Sequence, residues 1–104
     1  DNLKNLPVKF NPEPENTKNG YWMPTIIVDE GIKFDRDDVL KKFSQENIDA
    51  RVFFWPLSSL PMFEEVKQNH VSYSLNVRGI NLPSYHDLTE EQQERVIKVI
   101  NNIF

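Results

Sequence analysis

The stretch ARVFFWPLSSLPMF, Ala50 to Phe63, sets three consecutive aromatics before a proline, two serines between leucines, and a second proline ahead of Met62 and Phe63. Aromatic and β-branched residues suit a pleated, half-buried surface, so Ala50 to Trp55 is predicted to be a strand that Pro56 ends. Side chains alternate along a strand. Val52 and Phe54 therefore share one face and Arg51, Phe53 and Trp55 the other, and only one set can be core. Pro56 and Pro61 fix φ on either side of Leu57 to Leu60 and pre-order that loop. The stretch reads as core strand running into the wall of a site.

On its N-terminal side, FDRDDVLKKFSQEN carries the signals of a helix over about residues 36–47. Asp35 can cap it, Asp37 and Asp38 favour the positive end of its dipole, and Val39, Leu40 and Phe43 line one face. Phe34 before the cap and Val39 have the spacing of a hydrophobic staple. Earlier still, YWMPTIIVD at residues 21–29 combines aromatics with Thr25, Ile26, Ile27 and Val28 and predicts a strand. Pro24 cannot donate to a ladder, so this strand is expected at an edge or with a bulge.

On the C-terminal side, PMFEEVKQN is expected to give a helical turn or two. Asn69 can cap a short helix through HVSYSLNVR, with Gly79 placed to end it, and INL reads as a short strand. TEEQQERVIKVINNIF has Thr89 and Gln92 in capping-box spacing and Val96, Ile97, Ile100, Ile103 and Phe104 on one face. Strands and helices in this order predict an α+β, two-layer small domain, its short and mostly antiparallel sheet covered by helices on one face.

The chain has 104 residues, enough for one core. Its formal charge of −4 argues against a nucleic-acid partner, which would call for clustered Lys and Arg. Cysteine is absent, which removes disulfides and thiolate metal sites. No apolar run approaches a membrane span, so a soluble chain without a membrane partner is expected. Residues 1–20 are polar, carry Pro7, Pro12 and Pro14, and begin without Met. They read as a linker leading into a domain over 21–104, cut from a longer chain, with a processed secreted protein as the alternative.

Few residues carry chemistry by themselves. His70 begins a predicted helix and reads as solvated. His86 beside Asp87 is a candidate general base, although sequence neighbours need not share a useful geometry. Ser58 and Ser59 lack the G-x-S-x-G surroundings of an activated nucleophile and read as loop polar groups. The acidic runs Asp35 to Asp38 and Glu90 to Glu94 coincide with helix starts, where capping accounts for them without a metal. Arg51 and Arg78 are open between anion binding and surface ion pairing.

Taken in order, NGYWMPTIIVDEG, then the helix with NIDARVFFWPLSSLP, then RGINLPSYHDLT resembles the C-terminal small domain of the DegT/DnrJ/EryC1/StrS family of sugar aminotransferases, over about residues 3–104. The resemblance implies a pyridoxal-phosphate-dependent parent enzyme. That parent would move an amino group, commonly from glutamate, to a keto nucleotide-sugar for cell-surface polysaccharide or antibiotic sugar biosynthesis. It further implies a homodimer and a preceding large domain that holds the cofactor on an internal lysine. This chain alone is then expected to be inactive, to bind no cofactor and to supply no catalytic residue. By the same resemblance Arg51, Phe53, Trp55, Leu57, Ser58 and Ser59 line the substrate or cofactor cleft. Two positions depart from the family pattern. Ser58 stands where many relatives have histidine, and Asn47 replaces the usual glycine after the helix, a place where Asn tolerates the left-handed conformation. Two other functions compete: a free-standing module that binds ligand or protein through the loop at residues 53–61, and a small hydrolase built on His86 and Asp87.

Overall fold

The computed structural model describes residues 3–104. The chain forms β1 (Val8–Phe10), β2 (Thr25–Val28), α1 (Arg36–Gln45), β3 (Arg51–Val52), a 3-10 turn at Leu57–Ser59, α2 (His70–Arg78), β4 (Gly79–Asn81) and α3 (Glu90–Asn101). The strands make one sheet in the order β1-β2-β4-β3, and every neighbouring pair is antiparallel.

Register decides which side chains are core. Ile26 pairs with Ile80 and Val52 pairs with Ile80 from the other side, so these three point to one face of the sheet. Helices α1 and α3 close that face. Ile26, Ile80 and Leu82 meet Val39, Phe43 and Ile48 from the α1 region and Val96, Val99 and Ile100 from α3. The predicted α+β domain is the observed one.

Helix boundaries follow their caps. The Asp35 carboxylate accepts from the backbone N–H groups of Asp37 and Asp38, at 3.0 and 3.1 Å. At the other end of α1, Ile48 N–H donates to the Phe43 carbonyl and Asn47 N–H to that of Ser44, both at 3.0 Å, with Asn47 at φ 56°. This is the Schellman pattern, and its accompanying apolar contact is Ile48 on Phe43. Asn47 thus occupies the left-handed position expected of it. In α3 the box is reciprocal: Thr89 N–H donates to Gln92 Oε1 at 2.9 Å, and Gln92 N–H to Thr89 Oγ1 at 3.3 Å.

Four expectations are corrected. β2 is an inner strand, not an edge one: it starts one residue after Pro24, so the missing N–H falls outside the ladder, while the Pro24 carbonyl accepts from Leu82 N–H at 2.9 Å. Residues 1–20, expected as a linker, contribute β1 to the sheet, its three residues paired with β2. The strand predicted through Trp55 ends at Val52, and the stretch after Pro61 makes turns instead of a helix.

Gly79 ends α2 as foreseen, but by a different mechanism. Its φ is −103°, extended and not left-handed, and α2 passes into β4 without a loop. A Cβ at this position would lie 2.6 Å from Phe53 Cβ. Glycine is required here for close approach between β4 and the residue following β3.

Candidate functional site

The chain leaving β3 does not continue along the sheet. It crosses the end of α2 and lays out a shelf of exposed apolar side chains: Phe54, Trp55, Leu57, Met62 and Phe63. Trp22, from the segment before β2, joins it by stacking on Phe54, with ring centroids 6.0 Å apart and planes 21° from parallel. Leu57 and Trp22 each keep 71% of their surface in solvent. Exposed aromatic and aliphatic side chains concentrated in one segment are the kind of surface that interaction sites use.

The shelf is exposed yet ordered. Ser59 N–H donates to the Pro56 carbonyl at 2.9 Å and Leu60 N–H to that of Leu57 at 3.1 Å, closing the 3-10 turn between the two prolines. Ser59 Oγ donates to the Pro56 carbonyl at 2.7 Å. Ser58 Oγ lies 2.9 Å from the Tyr73 hydroxyl on α2. The Arg36 guanidinium sits 5.3 Å from the centroid of the Trp55 ring. Its Nε is buried without an acceptor, a cost that the π face partly offsets.

Trp22 is placed by a loop with its own electrostatics. Tyr21 adopts φ 48°, a conformation that costs a bulky residue about 1–3 kcal/mol. Two bonds hold it there: Tyr21 O–H donates to Glu13 Oε2 at 2.6 Å, and Tyr21 N–H donates to Asn19 Oδ1 at 2.8 Å. The Tyr21 hydroxyl and then Asn19 N–H pull the Glu13 carboxyl below its ordinary value, while the bond to Glu13 pushes the Tyr21 hydroxyl up. The signs fix a window. The Glu13 contribution is present above the ordinary glutamate pKa and is lost as pH falls through its lowered value. The Tyr21 contribution is present below the ordinary tyrosine pKa and is lost as pH rises through its raised one. The Trp22 indole NMR signal is therefore expected to hold steady between those limits and to shift at both. Tyr21→Phe should abolish the alkaline step and return Glu13 toward ordinary titration; an unchanged profile would rule out the Tyr21–Glu13 bond.

The six residues singled out from sequence fare differently. Trp55, Leu57, Ser58 and Ser59 lie together on the shelf. Phe53 is half-buried, edge-on to Phe54 at 5.9 Å and packed under Gly79. Arg51 is turned to Asp49, with Nη2 2.8 Å from Oδ2, and this bond holds the Asp49 carboxyl low. Both are exposed, so the pair stabilises little. Arg78 is a structural residue: its guanidinium donates to the Val28 carbonyl, to Ser74 Oγ and to Glu30, tying α2 to the end of β2. Sequence reasoning missed Trp22 and Phe54, which stand 32 positions apart and meet only in the fold.

No acid–base machinery is assembled on the shelf. His86 Nε2 is 3.4 Å from Asp87 Oδ1, with both side chains in solvent, and Ser58 pairs with Tyr73 instead of a base. Among the described residues no hydroxyl is hydrogen-bonded to His86, whose side chain borders a groove between β1 and α3. This groove, of about 720 Å³, has Val8, Phe10, Leu82, Tyr85 and Ile97 among its walls. Among the described residues no His, Cys, Asp or Glu group can hold a metal, and no helix is long and apolar enough to cross a membrane. The lysines do not fit a covalently held carbonyl cofactor. All are exposed except half-buried Lys42, whose ammonium is 3.1 Å from Asp38 one turn back.

Fold and shelf together define a small α+β domain that presents one ordered apolar wall. Its sequence matches the profile of the DegT/DnrJ/EryC1/StrS aminotransferase family over residues 1–101. GDP-perosamine synthase from Vibrio cholerae is 33% identical over 105 residues, covering 98% of this chain and 29% of the relative's length. Two solved structures share the fold. Spr1654 from Streptococcus pneumoniae, in its apo-form, gives a TM-score of 0.82 at 16% identity, over 98% of this chain and 27% of that one. A DegT DnrJ EryC1 StrS aminotransferase from Brucella abortus gives 0.77 at 24% identity, over 98% and 27%. The chain belongs to the DegT/DnrJ/EryC1/StrS aminotransferase family, whose members are pyridoxal-phosphate-dependent sugar aminotransferases. It spans under a third of the length of the relatives it matches.

Proposed function

We propose that residues 21–104, with β1 added to their sheet, are the small domain of a longer aminotransferase that aminates a keto sugar carried on a nucleotide. In this reading the shelf, with Arg51, Phe53, Trp55, Leu57, Ser58 and Ser59, is one wall of the substrate or cofactor cleft, and the rest of the polypeptide supplies the other. The observation that carries it is an apolar segment tied down by hydrogen bonds while open to water. Leaving Trp22, Trp55 and Leu57 solvated forgoes the burial they would gain against a second surface.

The division of labour follows from what this chain holds. Pyridoxal phosphate, when bound to the parent, supplies the electron sink through which an amino group is exchanged. The lysines here do not fit that cofactor, and no step is assigned to them. The shelf would bind and exclude water: flat aromatic faces accept a ring, and a dry wall strengthens polar contacts made beside it. Ser58 and Tyr73 would offer a hydroxyl pair at its margin. Glutamate as donor, a homodimeric parent and a cytoplasmic location belong to the same reading.

The test is an assay of the intact gene product with glutamate and a panel of keto nucleotide-sugars, read by mass spectrometry of the amino sugar. Amino transfer is expected from the intact protein and none from the 104-residue chain. Turnover by the chain alone, or none by the intact protein on any member of the panel, would overturn the proposal.

A further inference from the structure

We propose that Asn76 is the positioning residue of the shelf: it replaces the strand ladder that the chain abandons after Val52. The relevance to catalysis rests on the reading of the shelf as a cleft wall; the structural argument does not.

β3 pairs with β4 only through Arg51 and Val52, with one further backbone bond from Phe53 N–H to the Gly79 carbonyl at 3.2 Å. Beyond it the chain turns away, and the carbonyls of Phe53 and Phe54 no longer face a neighbouring strand. The Asn76 side-chain amide takes both. Nδ2 donates to the Phe53 carbonyl at 2.9 Å and to the Phe54 carbonyl at 3.1 Å. A carboxamide has two N–H donors on one nitrogen, and here each is spent on one of two successive carbonyls.

The residue is unusual for its place. Asn76 is 2% exposed and is the one buried residue of α2, a helix that contributes no fully buried hydrophobe. Burying an asparagine is unfavourable unless its amide is bonded, and a leucine at this position would bury apolar area without directing any backbone. The helix is thus fixed to the shelf by hydrogen bonds at defined angles, not by a greasy contact that tolerates sliding.

Neighbouring contacts converge on the same segment. The Asn76 backbone carbonyl lies in the last turn of α2, where no helical partner exists, and accepts from Arg36 Nη1 at 3.2 Å. Arg36 in turn lies against Trp55. One turn earlier, Tyr73 meets Ser58. Tyr73 and Asn76 lie at helical spacing on α2, and Gly79 opens β4 just past the helix; Tyr73 meets the hydroxyl margin of the shelf, Asn76 its backbone, and Gly79 the Phe53 side chain beneath it.

The experiment is ¹⁵N relaxation and amide exchange on the 104-residue chain carrying Asn76→Leu, which keeps the helix and the volume but removes both donors. Backbone order parameters at Leu57 to Leu60 are expected to fall from about 0.85 to below about 0.6, while amide protection in α1, α3, β2 and β4 persists. Asn76→Ala serves as a second variant should the leucine overpack. Unchanged order at Leu57 to Leu60 in a folded variant overturns the proposal. So does loss of protection throughout the domain in both variants, because Asn76 would then hold the fold as a whole. Neither outcome depends on the substrate, so failure here is distinct from failure of the aminotransfer assay.

Discussion

Phe43→Ala is expected to lower the stability of the domain by about 3–5 kcal/mol, the cost of emptying a large, fully enclosed aromatic site. Phe43 has no exposed surface and stands where three parts of the fold meet. It belongs to α1, it receives Ile48 through the Schellman turn, and it shares one cluster with Ile26 and Ile80 of the sheet and Ile100 of α3. The site has little freedom to collapse, because the turn that seats Ile48 is fixed by two backbone bonds to α1. Domains of this size have total stabilities of about 5–15 kcal/mol, and each kcal/mol is worth about 4–8 °C in Tm. Thermal unfolding followed by circular dichroism should thus fall by more than about 12 °C, or show no folded baseline. A fall of only a few degrees would mean that α1 does not seal the sheet as described.

Gly79→Ala is expected to cost about 2–3 kcal/mol, at the upper end of what overpacking exacts. The new methyl would meet Phe53 Cβ at 2.6 Å and Cγ at 2.8 Å. Cβ cannot swing aside, so relief requires moving the backbone that carries the shelf. Close approach and a helix-cap role differ in what they allow at residue 79. Were Gly79 needed for a left-handed turn, asparagine would substitute mildly. At φ −103° no such turn exists, and Gly79→Asn should be at least as damaging as alanine. In the Gly79→Ala background, Phe53→Ala should recover only a small part of the loss, since it removes Cγ and keeps the closer Cβ, whereas Phe53→Gly should recover more. Denaturant titration of the four variants checks the pattern; a mild Gly79→Asn would refute it.

Where the sequence could be read, it was through local chemistry. Asp35 and the Thr89–Gln92 box are complete within four residues, and α1 and α3 begin where they direct. Asn47 after α1 could be assigned a left-handed position because its side chain tolerates one. The strands were harder, since their limits depend on partners distant in the chain. Pro24 argued for an edge, yet β2 starts just past it and lies inside the sheet. β1 was hidden in a polar, proline-rich segment because only pairing with β2 makes it a strand.

The candidate site divides along the same line. Pro56 and Pro61 announced an ordered loop, and the 3-10 turn between them is that loop. Arg51 looked available for an anion, but Asp49, two residues earlier, holds it in a bidentate pair. Trp22 on Phe54, Tyr73 on Ser58 and Asn76 on the two phenylalanine carbonyls are long-range contacts that no periodicity encodes. They turn a run of aromatics into a surface with a shape.

In the proposed function this chain forms one wall of a site whose covalent chemistry lies in other residues of a longer polypeptide. Borohydride reduction of the intact gene product as isolated, followed by peptide mapping, tests it most directly. The expected result is a single pyridoxyl-lysine peptide outside the 104 residues described by this sequence. A pyridoxyl group on any lysine within them, or none anywhere in the protein, would contradict the account.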